Sequence, residues 1–238
     1  MKHFVVDECD NIVGDRNGNV KMREQMQTVF LKTPKNKQVM MLSATMPEKQ
    51  KEICIKYLKE GFKEIVIPDD QLTLHGLQQY QVSLQEKDKN RKLKQIIDDM
   101  GFNQCIVFVK SPERAETLAE LLTKTGIAAK FTSPRLNVEK RLKIYEQFKR
   151  NDIRILIVGD LYARGIDVEK IDLAINYDMP ETPETYLHRV GRAGRFNTRG
   201  TAISFVSSDH DAEMINGIQT KYNVQINDYD RKDAADAQ

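Results

Sequence analysis

Ile106-Val107-Phe108-Val109-Lys110-Ser111-Pro112-Glu113 is an unbroken apolar run that ends at a lysine and restarts as a helix. Four β-branched or aromatic residues in succession read as a strand buried on both faces. Ser111 then stands at a helix N-cap with Pro112 at the first helical position. A strand that hands over to a helix within two residues opens a βαβ unit. The same alternation extends outward in both directions. Strands are expected near residues 3–7, 38–43, 64–67, 79–84, 104–109, 128–132, 153–158, 173–177, 201–206 and 223–226. Helices are expected near 21–32, 48–60, 88–100, 113–125, 138–150, 183–193 and 209–221. The fold class is therefore α/β, a doubly wound parallel sheet, with one complete domain and a smaller part of another.

The chain has 238 residues, which at about 150 per domain gives one to two domains. Hydrophobic residues at 40% and charged residues at 30% exclude disordered and collagenous classes. A net charge of +2 points to no polyanionic partner by itself. Cys9, Cys54 and Cys105 are odd in number and far apart, which fits neither a disulfide framework nor a zinc site and favours a reducing compartment. No apolar run approaches the roughly 20 residues of a membrane span, so a soluble intracellular protein without a membrane partner is expected. Pro68 to Gly76 is rich in turn formers. It divides the chain into residues 1–68, a linker at 69–76, a full domain at 77–228 and a frayed tail at 229–238. The apolar strand that follows Met1 and Lys2 so closely reads as a chain starting mid-domain.

Val5-Val6-Asp7-Glu8-Cys9-Asp10 is an apolar strand that ends in acids. A nucleotide-binding sheet presents carboxylates this way: Asp7 suits a water-mediated magnesium ion beside phosphates, and Glu8 suits a base for the attacking water. Helix capping is the bland alternative for these acids. Ser43 and Thr45, at the end of another strand, could hydrogen-bond Asp10 or neighbouring groups, although Ser-Ala-Thr alone is more often a helix N-cap. His188, Arg189, Arg192 and Arg195 crowd one helix end, where arginines at i, i+3 and i+6 can converge on a transferred phosphoryl group. Glycines among them suggest a close approach. The run Lys87, Lys89, Arg91, Lys92 and Lys94 reads as a solvated basic face rather than an RNA track, and Gly14 to Asn19 as a surface turn. Cys54 and Cys105 read as inert core residues.

Taken in order, Asp-Glu-Cys-Asp at 7–10, Ser-Ala-Thr at 43–45, Ile106 to Ser111, Ala163-Arg164-Gly165-Ile166-Asp167 and His188 to Arg195 resemble the DEAD-box RNA helicases over nearly the whole chain. Cys9, with Leu72 to Tyr80, Asn90 to Leu93 and Asn176 to Pro180, is similar to the DECD-box branch that acts in pre-mRNA splicing and nuclear mRNA export. The resemblance implies two RecA-like domains that close on ATP, Mg2+ and single-stranded RNA. By that resemblance Asp7 serves magnesium, Glu8 the water, and Asp10, Ser43 and Thr45 couple hydrolysis to unwinding. Asp167 meets the ribose, Arg192 and Arg195 the γ-phosphate, and His188 and Arg189 bridge toward the Ser-Ala-Thr segment. Lys110, Ser111, Arg141 and Gly165 face RNA phosphates. A nuclear monomer that meets RNA, splicing factors and export factors is implied as well.

The sequence also departs from the family. It contains no G-x-x-x-x-G-K-[ST] loop to cradle phosphates. A fragment inactive by itself is therefore expected, residues 1–68 being the end of the ATP-binding domain. Ser133, Arg135 and Val138 replace the family's RNA-facing pattern, and Gly159 replaces its threonine; Arg135 offers a substitute phosphate contact. The alternative function is a catalytically dead interaction module derived from such a helicase.

Overall fold

The structure is a computed structural model that describes residues 1–14, 20–68, 76–160, 166–194 and 198–230, apart from the Val20 side chain. The chain divides into two compact units between Val66 and Ile67. The linker segment 69–75 and the Gly14–Asn19 turn, beyond Gly14 itself, lie outside the described residues.

The first unit contains β1 (His3–Val6), α1 (Cys9–Val13), α2 (Val20–Lys32), β2 (Gln38–Met41) and α3 (Glu48–Ile55). β1 and β2 pair in parallel, His3 opposite Gln38 through Val6 opposite Met41. Alternation along β1 buries Phe4 and Val6 against Val13, Met26 and Cys54 and turns Val5 outward. Two expectations fail here. Residues 64–67 form no strand, and Ile65, Val66 and Ile67 are 79%, 71% and 61% exposed. A strand exists only through a ladder, and no described strand pairs with this segment. The helix expected at 48–60 stops at Ile55, where the Lys56 and Tyr57 N–H groups fall back on Ile53 and Cys54 carbonyls.

The second unit contains β3 (Leu77–Ser83), α4 (Lys89–Asp99), β4 (Gln104–Phe108), α5 (Pro112–Lys124), β5 (Ala129–Thr132), α6 (Val138–Lys149), β6 (Ile155–Val158), β7 (Ile171–Asn176), α7 (Pro183–Val190), β8 (Gly200–Val206), α8 (Asp209–Tyr222) and β9 (Asn227–Asp228). Its seven strands lie in the order β5-β6-β4-β7-β8-β3-β9, every pair parallel. Side-chain alternation shows why both faces are covered. Cys105, Val107, Ile155, Ile157, Leu173 and Ile175 pack on Leu93 and Ile96 of α4 and Leu118 and Leu122 of α5. Their chain neighbours Ile106, Phe108, Leu156 and Val158 face the other way, toward Phe148 of α6. Ala202 and Val206 meet Tyr186 and Val190 of α7 and Ile215 and Ile218 of α8. This is the doubly wound α/β arrangement expected from uniformly apolar strands. The strand expected at 223–226 is displaced to the two-residue β9, because Asn223 adopts φ 49° and ends α8 in the left-handed region.

Leu122 is fully buried on α5 beneath the sheet. Leu122→Ala is expected to lower unfolding stability by about 2–5 kcal/mol in denaturant titrations. Lys124→Ala, at the exposed end of the same helix, is expected to stay within about 0.5 kcal/mol.

Candidate functional site

In the first unit the sheet's C-terminal edge carries the acids. Asp7 follows β1 directly, exposed, and its Oδ1 accepts the Glu8 backbone N–H at 2.9 Å. Glu8 takes φ 49°, a left-handed conformation uncommon for a residue with a Cβ, at the turn from β1 into α1. It stands at the N-cap of α1 yet its carboxylate makes no capping hydrogen bond, so helix capping does not account for it. α1 itself was not foreseen from the sequence: five residues without a side-chain cap carry little signal.

Asp10 is the buried member of the acidic cluster, 3% exposed. A buried carboxylate requires donors. Thr45 Oγ1 donates to Asp10 Oδ2 at 2.9 Å, and Ser43 Oγ lies 2.6 Å from Asp10 Oδ1. Thr45 N–H in turn donates to Ser43 Oγ at 3.2 Å. The two hydroxyls thus hold the acid, and the Thr45 backbone holds Ser43. Cys9 and Cys54 lie in the same core cluster, where the neighbouring Cys54 thiol and burial push the Cys9 thiol up. All three cysteines are free and buried.

In the second unit the corresponding edge is organised by Asp178, just beyond β7. Lys89 Nζ lies 3.1 Å from its Oδ1, Arg114 pairs with the same oxygen, and the Lys110 N–H donates to Oδ2 at 2.9 Å. Lys89 and Arg114 both also pair with Glu86. Lys89 is 2% exposed, which corrects its reading as part of a solvated basic face: its charge is spent on two carboxylates. Ser111 caps α5 by accepting the Arg114 N–H at 3.2 Å, while the Lys110 side chain is exposed. Arg141 is half-buried on α6, and Gly165 lies outside the described residues. Arg135 pairs with Glu113, so its guanidinium already has an anionic partner in place of a phosphate.

Arg189 and Arg192 do not share one helical face. α7 ends at Val190 with Gly191 as its C-cap. Arg189, in the last turn, is turned inward: Nε and Nη2 hold Asp160 at 2.5 and 2.9 Å, and Nη1 donates to Asn176 Oδ1 and the Asp178 carbonyl. These bonds tie its fork to groups of its own unit. Arg192 lies beyond the helix, donating to the carbonyls of His188 at 2.9 Å and Ile166 at 3.0 Å. His188 is half-buried, and Arg195 lies outside the described residues. The close approach signalled by the glycines is internal: Gly194, at φ +69°, leaves no room for a Cβ on Gly200. Asp167 is exposed, and its carbonyl oxygen accepts from Tyr145 at 3.4 Å. Asp160 and Asp178 escaped sequence reading as partners, although Asp178 carries the same signal as Asp7, an acid at the end of an apolar strand.

Residues 1–53 match the family model described as DEAD/DEAH box helicase, and residues 88–197 match the helicase conserved C-terminal domain. The chain belongs to the DEAD-box helicase family. It is 46% identical over 237 residues to the ATP-dependent RNA helicase SUB2 of Pyricularia oryzae, covering 100% of this chain and 53% of that one. Identity to SUB2 of Saccharomyces cerevisiae is 45% over 229 residues, 96% of this chain and 50% of that one. The chain spans about half the length of these curated relatives. Among solved structures it is similar to S. cerevisiae Dbp5 bound to RNA and ADP BeF3, with a TM-score of 0.86, 26% identity, and coverage of 99% of this chain and 61% of that one. The α/β fold with parallel sheets is that of these RecA-like helicase structures.

For this DEAD-box chain, Ser43→Ala is expected to leave Asp10 short of a donor and to cost about 1–3 kcal/mol, read as a lowered melting temperature that Ser43→Thr largely restores. Burial raises the Glu86 carboxyl, but Lys89 and Arg114 more than reverse this and hold it at about 2, below its ordinary 4.5. Its contribution to stability is therefore complete above pH about 4.5 and lost as pH falls toward about 2. Glu86→Gln should flatten that part of a stability-against-pH profile.

Proposed function

We propose that this chain carries the catalytic and RNA-binding groups of an ATP-dependent RNA helicase of the DECD-box type. The observation that carries this reading is the edge of β1, where Glu8 is held in a left-handed turn between exposed Asp7 and an Asp10 fixed by Ser43 and Thr45.

The residues fit the expected metal. Magnesium needs one or two carboxylates, its remaining ligands being waters and substrate phosphates. An exposed Asp7 directly after a strand meets that need. When bound, the ion would neutralise charge on the β- and γ-phosphates. Glu8 would orient the attacking water and accept its proton. Arg192, with two donors fixed on backbone carbonyls, would present its guanidinium to the γ-phosphoryl group, a role Arg195 shares by the family resemblance. Asp167 would meet the ribose, and His188 the Ser-Ala-Thr segment. Arg189 is a positioning residue in this scheme, since it fixes Asp160, Asn176 and the Asp178 carbonyl.

RNA would lie along the C-terminal ends of β4 and β5, where the exposed Lys110 side chain, Ser111 and Arg141 would face phosphates without reading sequence, Gly165 being added by the family resemblance alone. The Arg135–Glu113 pair and Gly159 mark where this chain departs from the family along that edge. In this reading the phosphate cradle comes from outside these 238 residues. The resemblance to the DECD-box branch carries the rest of the reading: a nuclear role in splicing and mRNA export, with splicing and export factors as partners of a monomer.

The test is RNA-stimulated ATP hydrolysis by a polypeptide that carries a G-x-x-x-x-G-K-[ST] loop ahead of these residues. Glu8→Gln should retain ATP binding and abolish turnover. Arg192→Ala should lower turnover by at least about a hundredfold. Near-normal hydrolysis in Glu8→Gln would remove the base role; an unchanged rate in Arg192→Ala would remove the arginine from the phosphoryl site.

A further inference from the structure

An ion pair spans the C-terminal edge of the sheet in the second unit. In the strand order β5-β6-β4 the end of β6 lies between the ends of β4 and β5. Glu113 stands in the first turn of α5, which follows β4, and Arg135 stands in the turn that follows β5. Arg135 Nη2 donates to Glu113 Oε1. The pair therefore joins the loops of the two flanking strands across the end of β6. Space is left at that end: a Cβ on Gly159 would meet only the Val109 carbonyl oxygen, at 3.7 Å. A group as bulky as a phosphate can approach the backbone there.

The backbone under this pair is fixed while its charges stay in water. The Arg135 N–H donates to Oγ of buried Ser133 at 3.3 Å, yet the Arg135 and Glu113 side chains are 59% and 56% exposed. Exposed ion pairs are weak, because water and salt screen both charges. Glu113 does not depend on its partner either. Its carboxyl is held below the ordinary carboxylate range first by its own backbone amide and then by the Ser111 hydroxyl, with the Arg135 charge contributing least. A guanidinium fork accepts a phosphate in the same two-pronged way as a carboxylate. Phosphate oxygens that arrive along this edge, beside the exposed Lys110 side chain, thus compete with Glu113 for one cation.

We propose that Glu113 is a displaceable substitute for an RNA phosphate. In the free chain it occupies Arg135; when single-stranded RNA binds, a phosphate takes the guanidinium and the strand crosses the end of β6 at Gly159. Arg135 is then an RNA contact that reads no sequence, and Glu113 sets how tightly that contact is made. Release of counterions from the RNA drives the exchange. The inference rests on the reading of this edge as RNA-facing, and it adds to that reading a binding residue and the acid that opposes it.

The test is fluorescence anisotropy on the full chain with a labelled ten-nucleotide single-stranded RNA, comparing Glu113→Gln, Arg135→Ala and the two combined. Glu113→Gln should tighten binding about threefold. Arg135→Ala should weaken it by a similar factor and lower the slope of log affinity against log salt by about 0.7, the share of one phosphate on a single strand. In the combined variant the gain from Glu113→Gln should vanish, because no guanidinium remains to be released. Glu116→Gln, which removes another exposed acid of α5, should gain less than Glu113→Gln, so that bulk charge is excluded as the cause. A gain that survives in the combined variant, an equal gain from Glu116→Gln, or unchanged affinity and slope in Arg135→Ala overturns the proposal and leaves the RNA-facing edge standing. Absence of RNA binding by the unaltered chain at millimolar concentration overturns both.

Discussion

A buried carboxylate cannot be left without donors, and both units are organised around one. In the first unit it is Asp10, whose two oxygens are met by Ser43 and Thr45 from the segment after β2. In the second it is Asp178, which gathers Lys89 from α4, Arg114 from α5 and the Lys110 amide from the end of β4. Desolvating such a group without partners costs several kcal/mol. Each acid therefore fixes the loops around it, and those loops carry the residues assigned to chemistry. Glu8 sits two residues before Asp10, and Lys110 is bonded to Asp178 through its own backbone.

Rigid placement of the edge depends on what lies beneath it. Because β4, β6 and β7 are buried on both faces, neither the sheet nor its loops can slide by one residue without exchanging Val107 for Phe108 and the rest of their alternating sets. The close contact of Gly194 with Gly200 continues this logic beyond α7. It brings the chain that follows Arg192 back onto the start of β8, so the arginine segment is anchored at both ends.

Much of this was legible in the sequence because the signals are local. Apolar runs bounded by Ser-Pro or Thr-Pro gave the strands and the starts of α5 and α7, and the spacing of Ser43 and Thr45 anticipated their bonds to Asp10. What was not legible depends on distant partners. Lys89 reads as solvated until Asp178, 89 residues away, is seen to hold it. Arg189 reads as reaching outward until Asp160 and Asn176 are seen to hold its fork. Ile65 to Ile67 have a strand's composition but no ladder partner among the described residues, so composition alone misleads. α1 is too short to announce itself, and its left-handed start at Glu8 is a tertiary effect.

Hydrogen exchange of the chain with and without single-stranded RNA tests most directly the claim that the edge organised by Asp178 is the RNA-facing surface. Protection at the amides of Ser111 and of the residues following β5, with no change at Arg91 to Gln95, is the predicted result. Protection confined to Arg91 to Gln95, or none at all at millimolar RNA, would contradict it.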